Sequence, residues 1–210
     1  MGTSSHMGLP EIFVENDYWL TVALNKIYQI EVAEPYTKRM VKSFIYEMME
    51  NRGQVELSKE YSLLPFEVLV LEPSRTMCEK IMSLVRFSYT ENAEEDLKKK
   101  IRHVYDLHQL LIQKEIIEFF NSADFENMLL KVANDDVDSF KNNNAWLKHH
   151  PVNSKIFSDL DLIWPKLKSA YTVNFKEMVY GDFPDEKELL ATLNRIKNRI
   201  SGVKWKLKAF

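Results

Sequence analysis

Glycine is the residue this chain does most without. Five glycines in 210 residues, none beside another, leave few places where backbone N–H groups can wrap a phosphate, which weighs against a glycine-rich nucleotide loop. Cysteine is scarcer still. The one thiol, Cys78, excludes an internal disulfide and a cysteine-based zinc cage, and it fits a cytosolic, reducing compartment. No apolar run approaches the ~20 residues of a membrane span. Neither sign of charge dominates: 28 Lys and Arg face 31 Asp and Glu, for a net −3. That balance implies no general affinity for nucleic acid or an anionic membrane, while leaving room for a local basic patch. Apolar residues are not lacking. At 45% of the chain they suffice for a true core in one domain, or two small ones sharing an interface. Residues 1–8 open with a stretch, Met1 to Met7, that has no apolar centre and reads as an expression scar rather than a signal peptide; His6 goes with it.

The remainder reads as helix after helix. Asn16 or Asp17 is placed to cap a helix running to about Ile30, with Leu20, Ala23, Leu24 and Ile27 on one face. Pro35 then starts a second, striped by Met40, Phe44 and Met48 and stopped by Gly53. Residues 54–64 are polar and expected to be loop. Phe66 to Leu71 (FEVLVL) is the clearest strand, closed by Glu72-Pro73. Beyond Pro73 the apolar spacing predicts helices over Ser74–Tyr89, over Glu94–Phe120 with a break near Lys114, over Asp124–Asn142, over Ser158–Val179 stressed by Pro165, and over Asp185–Ile200. The tail from Lys204 alternates charged and apolar groups, as a strand or a frayed end. No repeat or low-complexity stretch occurs.

Three stretches stand out together: Val14–Thr21 (VENDYWLT), Glu72–Ile81 (EPSRTMCEKI) just after the strand, and Lys100–Leu107 (KIRHVYDL) in the next helix. The last two resemble the later motifs of the AbiEii/AbiGii nucleotidyltransferase toxin family of bacteria, a strand followed by P-x-R-T-x-x-E-K and then R-H-x-Y-D-L. The first is similar to that family's E-K-D-Y-x-x-T helix, with Asn16 in place of lysine. The stretch from Tyr171 to Pro184 also looks familial, and the resemblance spans roughly residues 11–200. It implies a polymerase-β-type nucleotidyltransferase acting in a toxin–antitoxin or phage-defence system. Such an enzyme moves a nucleotide from an NTP to an RNA acceptor such as tRNA, with Mg²⁺ and NTP as cofactors. By the same resemblance Lys80 and Asp106 are the catalytic residues, neighboured by Arg75, Glu79, Arg102 and His103, with the metal ligands unknown. A cognate antitoxin, tRNA and a second copy of the chain are the partners to expect, and no membrane.

One departure matters for the chemistry. In-line phosphoryl transfer needs carboxylates that hold metal and a turn whose N–H groups hold phosphate. The family supplies both in one block, G-G-T-S-L…S-x-D-x-D, after its first helix. Here that helix runs through Ile27-Tyr28-Gln29-Ile30, and Glu34-Pro35-Tyr36 already resembles the region beyond the block. The block is therefore expected to be absent between about Gln29 and Glu34, whether by natural deletion, by engineering or by omission of the stretch. The fold expected is mainly α, a helical bundle with a small remnant of a mixed α/β nucleotidyltransferase core. Its divisions are the scar at 1–8, the remnant at 9–72 and a C-terminal helical domain at 73–210. With the block gone, the strand at 66–71 would lose its sheet partners. Its edge would then need cover from a helix, from loop 54–64 or from another chain.

Each candidate also has a structural reading. Lys80 shares a helix face with Met77, Ile81 and Leu84, where a lysine snorkels or pairs with an acid such as Asp106. Arg102–Asp106 at i,i+4 is also ordinary helix support, worth ~0.2–0.5 kcal/mol. Arg102 followed by His108 resembles the helix-end pair of HEPN ribonucleases, with Arg on phosphate and His as acid or base. His108 nevertheless falls on the apolar stripe of Leu97, Ile101, Val104 and Leu111, as a core histidine does. Asp159-Leu160-Asp161 mimics S-x-D-x-D but follows R-H-x-Y-D and has no glycine turn before it; Ser158 or Asp159 suits a helix cap. Asp135, Asp136 and Asp138 read as a solvated helix face. His149-His150 lacks a third metal ligand, and Cys78 reads as packing. Lys98, Lys99, Lys100 and Arg102 form a small basic patch, suited to RNA or simply to solvent. Trp19, Trp146, Trp164 and Trp205 are scattered as core anchors. A non-catalytic family member that binds an antitoxin, itself or RNA is the main alternative, and a HEPN-like ribonuclease the weaker one.

Overall fold

A computed structural model describes residues 36–139, 144–179 and 182–207. The expected first helix, the Val14–Thr21 motif and the junction at 29–34 lie outside these residues. The architecture is mainly α, as expected. The chain divides at Glu72/Pro73 into two compact units.

The first unit contains strand β1 (Tyr36–Val41), helices α1 (Phe44–Asn51) and α2 (Val55–Glu60), and strand β2 (Phe66–Leu71). Three expectations need correction. The helix placed from Pro35 is a strand over its first turns: Tyr, Thr and Val favour extended backbone. Antiparallel pairing from Tyr36 opposite Leu71 to Val41 opposite Phe66 gives those residues a ladder that an isolated helical turn would not. The helix starts only at Phe44, where Ser43 Oγ accepts from Tyr46 N at 3.0 Å, and ends before Gly53, whose φ of +68° suits glycine. Residues 54–64 are not all loop either, because α2 forms there and buries Ser58. Leu63 is buried just beyond it. The strand at 66–71 is present and has a partner on one side, so the expectation of a strand without sheet partners is corrected too.

The second unit is a helical bundle: α3 (Pro73–Phe87), α4 (Ala93–Lys99), α5 (Ile101–Leu111), α6 (Lys114–Asn121), α7 (Asp124–Ser139), α8 (Lys155–Ser158), α9 (Leu160–Ser169) and α10 (Glu186–Ile200). Pro73 opens α3, where its missing N–H costs nothing. The expected helix over 94–120 breaks near Lys114 as read, and once more at Lys100, whose φ of −105° and ψ of 10° leave the helical region. That second break turns α5 so that Ile101, Val104, Leu107 and Leu111 all face the core. The helix stressed by Pro165 starts at Leu160 and loosens after Ser169 into a π turn (Ala170–Phe175). The buried Tyr171 hydroxyl donates to the Pro184 carbonyl at 2.7 Å, and the Tyr171 ring stacks on Phe183 at 4.4 Å. α10 carries a capping box, with Asp185 Oδ1 accepting from Glu188 N and Glu188 Oε2 accepting from Asp185 N. The core joins Met77, Ile81 and Leu84 of α3, Leu107 of α5, Leu129 of α7 and Leu193 of α10, each fully buried side chain contributing about 1.5–3 kcal/mol of transfer free energy. No described helix is long and apolar enough to cross a membrane.

Candidate functional site

Helix α3 has two faces. Met77, Cys78, Ile81, Met82, Leu84 and Val85 point inward, while Arg75, Glu79, Ser83 and Arg86 recur at helical spacing on the other side and line a cavity of about 460 Å³. Lys80 lies at the seam between the faces, as its place among apolar neighbours suggested. Its ammonium is 2.6 Å from Asp106 Oδ2 on α5, with the side chains only 21% and 18% exposed. The two residues that the motifs singled out, twenty-six positions apart, are thus brought together by packing of α3 on α5. The pairing that the structural reading of Lys80 offered is the one observed. Arg102 Nε is 3.6 Å from the same Asp106 oxygen, but its side chain is 70% exposed and turns away from this cavity.

The other neighbours fall into place around the pair. Arg75 bridges α3 and α7, its Nε 2.8 Å from Glu79 Oε1 and its Nη2 2.8 Å from Asp135 Oδ2. His103 lines the same cavity. Its Nδ1 is buried without a hydrogen-bond partner among the described residues. Burial, then the cations of Lys80 and Lys100, push its pKa down to about 4, so it is neutral at pH 7. Across the cavity Asp136 is pushed up to about 6, chiefly by burial, with Glu79 and Asp135 adding to the rise against the pull of Arg86 and Arg75. The reading of Asp135, Asp136 and Asp138 as a solvated face holds for the exposed Asp138 and is corrected for Asp136, which is half-buried on the cavity wall; Asp135, its side chain 47% exposed, lines the cavity as well. Arg86 and Ser83 were missed as well, although the polar stripe of α3 carried the signal. Cations and carboxylates thus share one concave site. No three His, Cys, Asp or Glu side chains among the described residues converge as a cation-holding group. The described residues therefore do not fit a resident divalent metal.

The remaining candidates lie outside this cavity. His108 Nδ1 lies 2.9 Å from Thr192 Oγ1 of α10, a satisfied histidine on the core side, while Arg102 is turned to solvent. His150 Nδ1 accepts from Val152 N, and its Nε2 is 3.0 Å from the Val203 carbonyl. His149 stacks on Tyr89. Asp159 sits at the N-terminal cap position of α9, with Asp161 in the first turn. Cys78 is buried, and burial pushes its thiol up. Trp146 and Trp164 are core residues, and Trp205 packs against the core with Nε1 donating to the Leu147 carbonyl.

Comparison with curated proteins and with solved structures returns no match. Comparison with protein families does: residues 20–199, covering both central motifs and the whole cavity, match the family described as nucleotidyl transferase AbiEii toxin, type IV toxin–antitoxin system. The chain belongs to that nucleotidyl transferase toxin family.

Proposed function

We propose that this chain handles the triphosphate in a toxin that transfers a nucleotide from an NTP to an RNA acceptor of the tRNA kind. Lys80 is its phosphate ligand, and Asp106 is the carboxylate that holds Lys80 until phosphate replaces it. One observation carries the reading: Lys80 and Asp106, from two separate family motifs, meet at 2.6 Å beside a cavity flanked by Arg75 and Arg86. A triphosphate carries several negative charges into a partly enclosed site, and the cations there can exchange their carboxylate partners for its oxygens. Asp106 pairs with the Lys80 ammonium at the seam until phosphate takes its place. His103 is neutral at pH 7, so it can offer a hydrogen bond without adding charge. Membership in a type IV toxin–antitoxin family implies a cognate antitoxin.

The same reading holds that transfer by this chain alone is impaired. The sequence contains no Gly-Gly pair and no S-x-D-x-D ahead of R-H-x-Y-D. A divalent metal, if bound, would supply charge neutralisation of the triphosphate, and no group of the described residues would hold it. Incubation with Mg²⁺, each labelled NTP and total tRNA, alongside Lys80→Ala and Asp106→Ala variants, tests both halves. We expect a fluorescent NTP to bind the parent chain and not Lys80→Ala, and the RNA to stay unlabelled. Label on RNA that disappears in both variants would refute the impairment and make Asp159 and Asp161 the next positions to change. Failure of the parent chain to bind any NTP would refute the nucleotide reading and favour a non-catalytic binding member of the family.

A further inference from the structure

A transfer between two substrates needs two binding places that share the reacting point. Asp106 lines neither of the two concave surfaces here, but one of its oxygens joins a wall residue of each. On one side its Oδ2 meets Lys80 at 2.6 Å, on the wall of the cavity described above. On the other side the same oxygen meets Arg102 Nε at 3.6 Å, and Arg102 lines a separate groove of about 610 Å³ between the α4–α5 junction and the π turn. The floor of this groove is apolar: Ile101, Ala170 and Phe175 are buried, and Met178 stands 66% exposed. Its rim is basic. Lys99 and Arg102 hold their side chains 71% and 70% exposed. The groove's one acidic residue, Glu95, is engaged by Lys98 at 2.7 Å. The ion pair of Lys99 with Asp96 is an exposed i,i+3 contact, of a kind worth under about 1 kcal/mol and readily exchanged for phosphate.

We propose that this groove seats the end of the acceptor RNA, with backbone phosphates on Lys99 and Arg102 and a base against Met178. The proposal rests on the nucleotidyl transfer reading and adds where the second substrate lies. An exposed methionine is a polarizable, adaptable contact for a flat apolar face, and exposed cations on a rim suit a phosphate chain. A peptide partner would also meet apolar floor and basic rim. Only an acceptor whose hydroxyl must reach the nucleotide gains from lying against Arg102, which the Asp106 carboxylate links to Lys80 on the cavity wall, and this contiguity favours RNA.

The test is binding, not turnover. A short labelled single-stranded RNA with a free terminal hydroxyl is titrated at several salt concentrations against the parent chain, Lys99→Gln/Arg102→Gln, Met178→Ser and Lys80→Ala. Both rim residues and Met178 are exposed, so these variants should fold. The rim pair should weaken binding and make the log–log salt slope shallower by about 1.4, from ~0.7 per phosphate contact on a single strand. Met178→Ser should weaken binding with the slope unchanged, and Lys80→Ala should leave RNA binding as it was. RNA that does not bind the parent chain, or binds the rim variant with an unchanged slope, overturns the proposal; the latter result leaves the groove to a protein partner. Loss of triphosphate binding with the RNA behaviour intact would instead count against the nucleotide reading, so the two failures are distinguishable.

Discussion

The Lys80–Asp106 pair should raise stability and restrain ligand binding at once, and the two effects can be separated. Two unit charges 2.6 Å apart attract by about 6 kcal/mol at an effective dielectric constant of about 20. Both side chains are about one-fifth exposed, so desolvation and the ordering of the lysine offset most of this, leaving a coupling of about 1–2 kcal/mol. Lys80→Met leaves Asp106 with Arg102 at 3.6 Å and should cost about 1 kcal/mol. Asp106→Asn leaves a poorly solvated ammonium and should cost about 2 kcal/mol. The double variant should cost less than the sum by the coupling energy. Urea denaturation followed by tryptophan fluorescence suits the purpose, because Trp146, Trp164 and Trp205 all lie in the helical unit. To touch a phosphate, Lys80 must let go of Asp106. Asp106→Asn should therefore bind inorganic tripolyphosphate about 5–30-fold more tightly, the factor that 1–2 kcal/mol represents, while Lys80→Met should lose it. A coupling below ~0.3 kcal/mol, within ordinary additivity error, together with unchanged tripolyphosphate binding in Asp106→Asn, would refute the reasoning.

Acid should act on His103 and Asp136 in opposite directions. The pKa of His103 is lowered from 6.5 to about 4, so its contribution is present above pH 6.5 and lost as pH falls toward 4, where the unfolded chain binds the extra proton. That of Asp136 is raised from 3.8 to about 6, so its contribution is present below pH 3.8 and lost as pH rises through 6. Asp136→Asn should thus lose stability on acidification more steeply than the parent chain, and His103→Gln less steeply; denaturant midpoints against pH that run parallel in both variants would contradict this. Arg199 donates from Nε to the Phe120 carbonyl at 2.8 Å and from Nη2 to the Ser122 carbonyl at 2.7 Å, tying α10 to the end of α6. Arg199→Ala should cost about 2–3 kcal/mol, as hydrogen bonds from a charged group do, and Arg199→Lys should recover only part in the same denaturation assay. Leu107, fully buried beside Asp106 in sequence, should cost about 2–5 kcal/mol as Leu107→Ala, read by thermal or chemical unfolding.

The order of residues along the chain determined what neighbouring residues decide among themselves. The helix over Asp185–Ile200, the helix that follows Pro73, the FEVLVL strand and the break near Lys114 were legible because caps, proline and apolar period act within a few positions. The motifs around Arg75–Lys80 and Arg102–Asp106 were legible as a family resemblance. They also marked both halves of the central ion pair, since a lysine on an apolar stripe needs an acid. The tertiary structure decided what depends on distant partners. Tyr36–Val41 is a strand because residues 66–71 offer it a ladder, and local spacing alone read it as helix. Asp135 and Asp136 line a cavity because Arg75 and Arg86 on another helix face them, a relation invisible from their run of negative charge. The groove under Arg102 exists because the chain bends at Lys100 and loosens at Ala170. Burial and long-range pairing, not composition, set the pKa values and the shape of the site, and these arise only when helices far apart in sequence pack together.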